Sequence, residues 1–541
     1  MSDYQRLRTA FTNLSFTPDV PSNALGPNEY NNGSNVETDV RGIKKINGEE
    51  EILSTIPYFP IYMDGGFRNN NTWVFIVATR DSSNKGRWYM VSASGITNIT
   101  PGYGSNPSVT LSGYTDNINI TSSWVGNVFF INDGINAPMY FIPTRTEISV
   151  YDASPDSYVW NYDIGVTSTT AGFVRNFCSP NVGNILIAGN LTKTYTVGGI
   201  VNYPTTIRWS QSFANTGVPA TWMPTLNNVA NEQEIPVRGP IIDGFFLGGN
   251  FYICSYWDTV ILSPIAYQSS TAPVFGVRLF NQGRGLINNN CWTNTDTNVY
   301  GIDSRDIWVF DGSNFNPLGN QKVRNYFFAN LSPTYGDRLF MVNNTQKYQI
   351  EIYYPDLTST GWCNKMLSYR YDLNIWNAPK DIEDACMGCE APVFVGSDFK
   401  YVSRTVSYAR GGVSSKVIQT NVGNSFINSQ PIYSLFERNN LPLQSDKGQV
   451  PYSSKVYIHR LLPEIAGTGS VDITVGGANS TAQTPTYGQT GNVSIVTNTP
   501  WVTTQQNTVR TISVKVESND ATNAWNLTAL NWQASIVEDA Y

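Results

Sequence analysis

Histidine is almost missing from this sequence, with His459 standing alone among 541 residues. One imidazole cannot build a His-pair zinc site, and it offers the commonest general base at a single position. Charge is scarce too. Charged residues make up 14% of the chain, against about 25% in an ordinary soluble domain. The 34 basic and 41 acidic side chains leave a net −7. A protein that coats DNA or RNA needs a basic surplus to displace phosphate counterions, so tight nucleic-acid binding is not expected. The six cysteines are too sparse for a disulfide scaffold. Cys386-Met-Gly-Cys389 alone has motif spacing, and without a second C-x-x-C or a helix opening after it the pair reads as plain thiols in a loop. No apolar run is long enough to span a membrane, and residues 1–11 hold no apolar signal core, so synthesis and retention in a cytoplasm are expected. The Asn-x-Ser/Thr triplets at Asn98, Asn119, Asn190, Asn330 and Asn526 then read as chance in an Asn-, Ser- and Thr-rich chain.

What the chain does have is apolar and aromatic side chains, 41% and 13%, ample for a large core. They are dealt out in runs of four to eight residues, separated by Asn, Gly, Asp, Ser and Pro, which is the pattern of short strands. Runs at 72–78, 87–92, 128–131, 139–142, 184–188, 251–255, 307–310 and 347–354 are typical. Between them lie Asn132-Asp133-Gly134, Gly248-Gly249-Asn250 and Asp311-Gly312, residues that accept the positive φ of tight hairpins. The length suggests two or three domains or one large modular β architecture.

From about residue 55 to 415 a similar unit recurs: two hairpin strands, a looser third, and an outer strand near a Trp or Tyr. Four-strand units of that size predict a β-propeller of about six blades; a pair of β-sandwiches is the rival arrangement. Residues 1–54, broken by Pro18, Pro21, Gly26, Pro27, Gly33, Gly42 and Gly48, read as an extended arm that pins itself to a neighbour or closes the ring. Residues 416–541 hold longer alternating strands and read as a small C-terminal β-sandwich. Between the two, 431–451 reads as a flexible connector.

Catalysis finds little support. A sialidase-type site would draw on Arg208, Arg278 and Arg284 with Tyr353 or Glu351 as nucleophile, but the Ser-x-Asp-x-Gly-x-x-Trp turns that accompany such sites are absent. His459 lies in an alternating strand, Tyr457-Ile-His-Arg460, with no Gly-x-Ser-x-Gly elbow in the chain. No P-loop, dinucleotide fingerprint or EF-hand loop occurs. Asp311-Gly-Ser-Asn-Phe315 offers calcium-like letters that a hairpin turn explains equally. The basic pairs Arg6/Arg8 and Lys44-Lys45 are too few for a nucleic-acid patch; they suffice to bridge an acidic partner, and solvated surface charge is the plainer reading. No catalytic residue, cofactor site or metal site is assigned, and the protein is not expected to be an enzyme.

Four stretches stand out: the leader at 36–52, with Arg41-Gly-Ile-Lys-Lys-Ile-Asn-Gly48; the run Asp306-Ile-Trp-Val-Phe-Asp-Gly312 continuing to Arg324; Ile350-Glu-Ile-Tyr-Tyr-Pro355 and Leu367-Ser-Tyr-Arg-Tyr-Asp372 up to Trp376; and the closing pair Thr511-Ile-Ser-Val-Lys-Val-Glu517 and Trp525-Asn-Leu-Thr-Ala-Leu-Asn-Trp532. They resemble the tail nozzle (tail hub or tip) proteins of short-tailed double-stranded DNA bacteriophages. The resemblance implies a propeller nozzle in a hexameric homo-oligomeric ring on the virion tail. Its partners would be an adaptor or tail-tube ring above and a tail fibre, tailspike or needle, and genomic DNA would pass transiently. Copies at −7 each would give a lumen that repels phosphates. The alternative is a receptor- or carbohydrate-binding propeller of adhesin or lectin type, whose aromatic and Asn-rich loops would stack on sugar rings.

Overall fold

The computed structural model describes residues 5–537 apart from 53–54, 69–71, 103–109, 154–155, 180–181, 266–274, 396–397, 412–414, 442, 446–447, 450–453, 496–501 and 504–507. Among the described residues the fold is almost wholly β, with a single short α-helix, Arg324–Asn330.

Five four-stranded antiparallel sheets follow one another along the chain, each a meander in sequence order. The first runs through Phe59–Phe67, Trp73–Arg80, Gly86–Ser92 and Gly95–Asn98. The others occupy 121–150, 166–234, 241–282 and 292–317. Hairpin chemistry explains the meander: Gly248 and Gly249 both take positive φ, 58° and 83°, and turn Ile241–Leu247 directly into Asn250–Ser255. Central strands are buried on both faces. Val128–Asn132 is buried at all five positions, which is why such strands are apolar throughout and do not alternate.

Both faces are covered because the sheets stack on one another. Ile76 and Trp88 of the first pack with Phe129 and Met139 of the second. Phe130 of the second meets Val174 and Leu186 of the third, and Ile187 and Trp209 of the third meet Ile253 and Leu262 of the fourth. Phe245 of the fourth shares a core with Trp308 of the fifth. A final eight-stranded sheet follows, in which Phe340–Asn344, Gln349–Tyr354 and Cys363–Arg370 lead into Lys380–Val395, Asp398–Arg410 and Val417–Thr420. Its far end packs back on the first sheet, with Ala391, Ala409 and Val417 against Met63, Phe75 and Val91. The array is propeller-like and closes on itself. Glu49–Ile52 adds the last strand, antiparallel to Val417–Thr420 with Ile52 opposite Val417.

Beside the array lie two larger sheets and a short parallel pair, Ser15–Phe16 with Glu29–Tyr30. In one of the larger sheets, Gln5–Ala10 and Lys455–Thr468 flank Ala524–Val537, with Gln5 paired to Ala534. The other has the order Asn32–Ser34, Ile432–Leu441, Thr511–Asp520, Ser470–Ala478, Thr486–Ser494. Leu7, Leu461 and Trp532 of the first and Phe436, Ile473 and Val516 of the second belong to one core. The expected connector at 431–451 is therefore largely a strand. Its inward positions include Ser434 and Arg438, which disguise it as polar: Ser434 accepts from the Trp525 indole at 3.1 Å, and Arg438 donates to the Gly26 carbonyl at 2.8 Å. Residues 442, 446–447 and 450–451 of that segment lie outside the described residues.

Residues 36–52 link the two parts. Val36–Asp39 and Gly42–Lys45 pair with each other, and Gly42–Lys45 pairs with Ala524–Val537. Glu37, buried, reaches the array and receives Lys347 and Lys380 at 3.0 Å each, with Lys44 at 3.3 Å. Burial alone would raise its pKa, but the charges of Lys347, Lys380 and Lys44 outweigh that and hold it well below the usual carboxylate range.

Candidate functional site

The first strands of the sheets are the polar ones, and their polar side chains converge. Arg175, on Val166–Ser179, donates from Nε and Nη2 to the two carboxylate oxygens of Asp243 at 3.0 and 2.6 Å, a bidentate pair. Its Nη1 donates to the Ser122 carbonyl at 2.8 Å, and the Trp292 indole donates to Asp243 Oδ2 at 2.8 Å. Ser122 also bonds the Tyr62 hydroxyl at 2.8 Å and donates to Asp64. Asn289 and Asn290 reach the carbonyls of Gly172 and Ile120 at 2.8 and 3.1 Å. Five sheets thus contribute to one polar centre.

Burial raises Asp64 above its ordinary value, against the opposing pull of the Ser122 hydroxyl, the Gly65 amide and Arg175. Burial works to lower Arg175, but the Asp243 charge and hydrogen bonds overcome it, so the guanidinium is held more firmly charged. Every group named here is turned on another part of the chain. The arrangement fastens strands together and presents no nucleophile beside a free base. A cavity of about 40 Å³ beside it, touching Tyr62, Asn290, Arg338, Trp362 and Met387, has room for a water and little else. Arg338 closes one wall, lying 4.8 Å over the Trp362 ring and 5.1 Å over Tyr335.

The sialidase-type residues do not assemble. Arg208 is buried on Gly199–Trp209, between Asp163 and Glu232 and over the Tyr162 ring at 4.4 Å. Arg284 pairs with Asp303 at 2.7 Å, and Arg278 is exposed on Phe275–Gln282. Tyr353 donates to Glu351 at 2.8 Å, but both are buried on Gln349–Tyr354, away from those arginines in sequence and sheet. His459 is half-buried, 2.8 Å from the Ser535 hydroxyl and edge-on to Tyr457. Cys386 and Cys389 lie on strand Lys380–Val395, not in a loop; burial pushes Cys386 up to about 12 and Cys389 well above its ordinary value, the reverse of a reactive or metal-binding thiolate. Asp311 Oδ1 accepts the amides of Ser313 and Asn314 at 2.8 and 2.7 Å, as a turn does. Lys44 is spent on Glu37, and Lys45 is buried, donating to Asp520 and Asn523 carbonyls at 2.7 and 3.0 Å. That basic pair therefore serves the fold, whereas Arg8 makes an exposed pair with Glu464 at 2.9 Å. Among the described residues no group of three or more His, Cys, Asp or Glu is placed to hold a metal, and no helix is long and apolar enough to cross a membrane.

Two open features lie away from the centre. A cleft of about 690 Å³ in the C-terminal part is walled by Asn479, Gln483, Thr484, Thr486, Tyr487 and Thr508, all uncharged. A groove of about 380 Å³ runs beside Glu49, Glu50 and Glu51 on the closing strand. Sequence reasoning singled out neither.

No family model matches the chain, and no curated protein matches it. Among solved structures it is similar to the BP39L lectin from Burkholderia pseudomallei, at 10% identity and a TM-score of 0.37, over 68% of this chain and 98% of that one.

Proposed function

We propose that this chain is a structural tail nozzle protein of a short-tailed double-stranded DNA bacteriophage, a building block of the distal ring of the tail channel. The observation that carries the proposal is the filled centre of the closed array. Arg175, Asp243, Asp64 and Ser122 lock the inner strands together, and the cavity beside them measures about 40 Å³. Such a unit is a rigid block rather than a vessel for a ligand, and DNA would pass between copies arranged in a ring, not through one of them. The stretches that resemble nozzle proteins support this reading by their position. The 36–52 leader knits the C-terminal part to the array through Glu37 and Glu49–Ile52, and Thr511–Asp520 with Ala524–Val537 forms the centres of the two outer sheets.

In this reading the array is a seven-bladed propeller. The eight-stranded sheet counts as two blades, the second being Lys380–Val395, Asp398–Arg410, Val417–Thr420 and the N-terminal strand Glu49–Ile52. The two larger sheets outside it form a β-sandwich mounted on it. The net −7 per copy keeps the channel from holding DNA phosphates. Electron microscopy of the purified protein, alone and with tail adaptor rings, tests the proposal. A closed ring that joins the adaptor is expected, and monomers that neither close nor join would overturn it.

A second reading, a carbohydrate-binding protein, is favoured by the uncharged cleft at Asn479, Gln483, Thr484 and Tyr487, whose volume suits a small oligosaccharide. Glycan binding that is lost in Gln483→Ala/Thr484→Ala, with the protein remaining monomeric, would favour it over the nozzle.

A further inference from the structure

The third sheet of the array is unlike its neighbours. Its strands Val166–Ser179, Gly183–Tyr195 and Gly199–Trp209 have 14, 13 and 11 residues, while the central strands of the second sheet have five and three. The excess length forms a three-stranded ribbon beyond a bulge at Asn190, which takes φ 59°. The ribbon is bared on both faces: Ile164 is 100% exposed, Val197 89% and Ile200 69%. Residues 194–207 and 164–174 carry no charge. At the ribbon's base Lys193 is closed off by Asp163 and Glu232 at 2.9 and 2.8 Å. Pairing of Gly199–Trp209 with its outer neighbour Asn231–Glu234 starts only at Thr206, so Gly199–Tyr203 has an open edge among the described residues. Such an edge, neutral and apolar, is a template for another strand.

A second edge of the same kind occurs in this chain. Thr486–Ser494 is the last strand of its sheet among the described residues and lies inside 473–509, a stretch without a single charged side chain. Thr486, Gly488, Gln489 and Thr490 are exposed on it. Copies at −7 repel, and these two edges are where a copy can approach its neighbour without bringing charge to charge. We propose that the ribbon edge Gly199–Tyr203 of one copy adds to the exposed part of the other edge, Thr486–Thr490, of the next, a head-to-tail β-addition. A contact between different surfaces of identical chains propagates and, at the right rotation, closes into a ring. The inference rests on the nozzle reading and supplies its subunit contact.

The test uses the full chain with Ile200→Lys and Thr490→Lys, made separately, and sedimentation equilibrium as the readout. Each variant should weaken assembly about 100-fold, since a lysine on a neutral edge must be desolvated without a partner. Mixed one to one, the two should form a heterodimer that grows no further, because each still offers one intact edge. Amides at 199–203 should gain exchange protection on assembly of the wild type. Asn202→Lys and Gln489→Lys replace either variant if it does not fold. Wild-type rings that survive both substitutions would overturn this contact while leaving the nozzle reading intact. Rings lost only in the Ile200 variant would indicate ribbon against ribbon and also overturn it. A wild type that stays monomeric at every concentration and with adaptor rings would overturn both.

Discussion

The closed array and the C-terminal part are both all-β, yet they are assembled by opposite routes. Apart from the closing strand Glu49–Ile52, the sheets of the array are meanders whose strands pair with near neighbours along the chain. The C-terminal sheets pair Gln5 with Ala534 and Asn32 with Glu437, across most of the sequence. Local pairing loses little loop entropy, so the array's sheets can form early and separately, whereas the C-terminal part cannot exist until both ends of the described chain meet. The difference also divides their polar interiors. The array buries one ionic centre at its axis, while the joint between the parts buries another around Glu37.

Breaking the joint should have the largest effect. Glu37→Ala leaves Lys347, Lys380 and Lys44 facing one another without their carboxylate. A loss of about 3–5 kcal/mol in urea unfolding is expected, with the two parts then melting apart. A single unchanged transition would break the comparison. Trp532→Ala, which removes a buried ring bonded to Thr9, should cost about 3–4 kcal/mol and lower the C-terminal transition while sparing the array in calorimetry. Asp243→Asn should do the converse, weakening the array by roughly 3 kcal/mol because Arg175 keeps a buried charge with one neutral partner.

The pH profile sharpens the contrast between two glutamates on one short segment. Burial raises Glu49 from its ordinary 4.5 to about 7, opposed by the Tyr408 hydroxyl hydrogen bond and by Lys380 and Arg410. Its folded form therefore favours the proton. That contribution is full below about 4.5 and fades as pH rises through 7, by about 3 kcal/mol. Glu37 has the opposite sign: its depressed pKa gives stability above the ordinary carboxylate range that is lost on acidification. Glu49→Gln should flatten stability between pH 5 and 8 without touching the acid limb, a result that pH-dependent denaturation curves read directly. Smallest of all, Arg8→Ala breaks an exposed pair, 61% and 39% accessible, and should shift stability by no more than about 1 kcal/mol.

Strands such as Ile307–Phe310 were legible to the residue because both faces are apolar. Of the first strands of the sheets, Ile241–Leu247 was legible over Gly244–Leu247 and most others were not. Phe59–Phe67 carries Asp64-Gly65-Gly66 and Val166–Ser179 opens on Thr-Ser-Thr-Thr, letters that read as loop until their polar partners are seen. The axial centre escaped for the same reason, although one signal was available: Arg175 is the only charge in 164–192 and Asp243 the only one in 239–257. A solitary charge in a neutral strand has to be neutralised by something distant in sequence. The Lys44-Lys45 pair, read as solvated surface charge that could bridge an acidic partner, turned inward because its acceptors Glu37, Asp520 and Asn523 are set by tertiary contacts that no local pattern encodes.

The strand Glu49–Ile52 leaves the ribosome early, but its seat, Val417–Thr420, emerges only some 360 residues later. For most of translation the wheel must therefore stand ajar, its rim held open by the order of synthesis. The last spoke precedes the rest of the wheel along the chain, so a product cut short before Val417 would carry the latch without its seat and could not close.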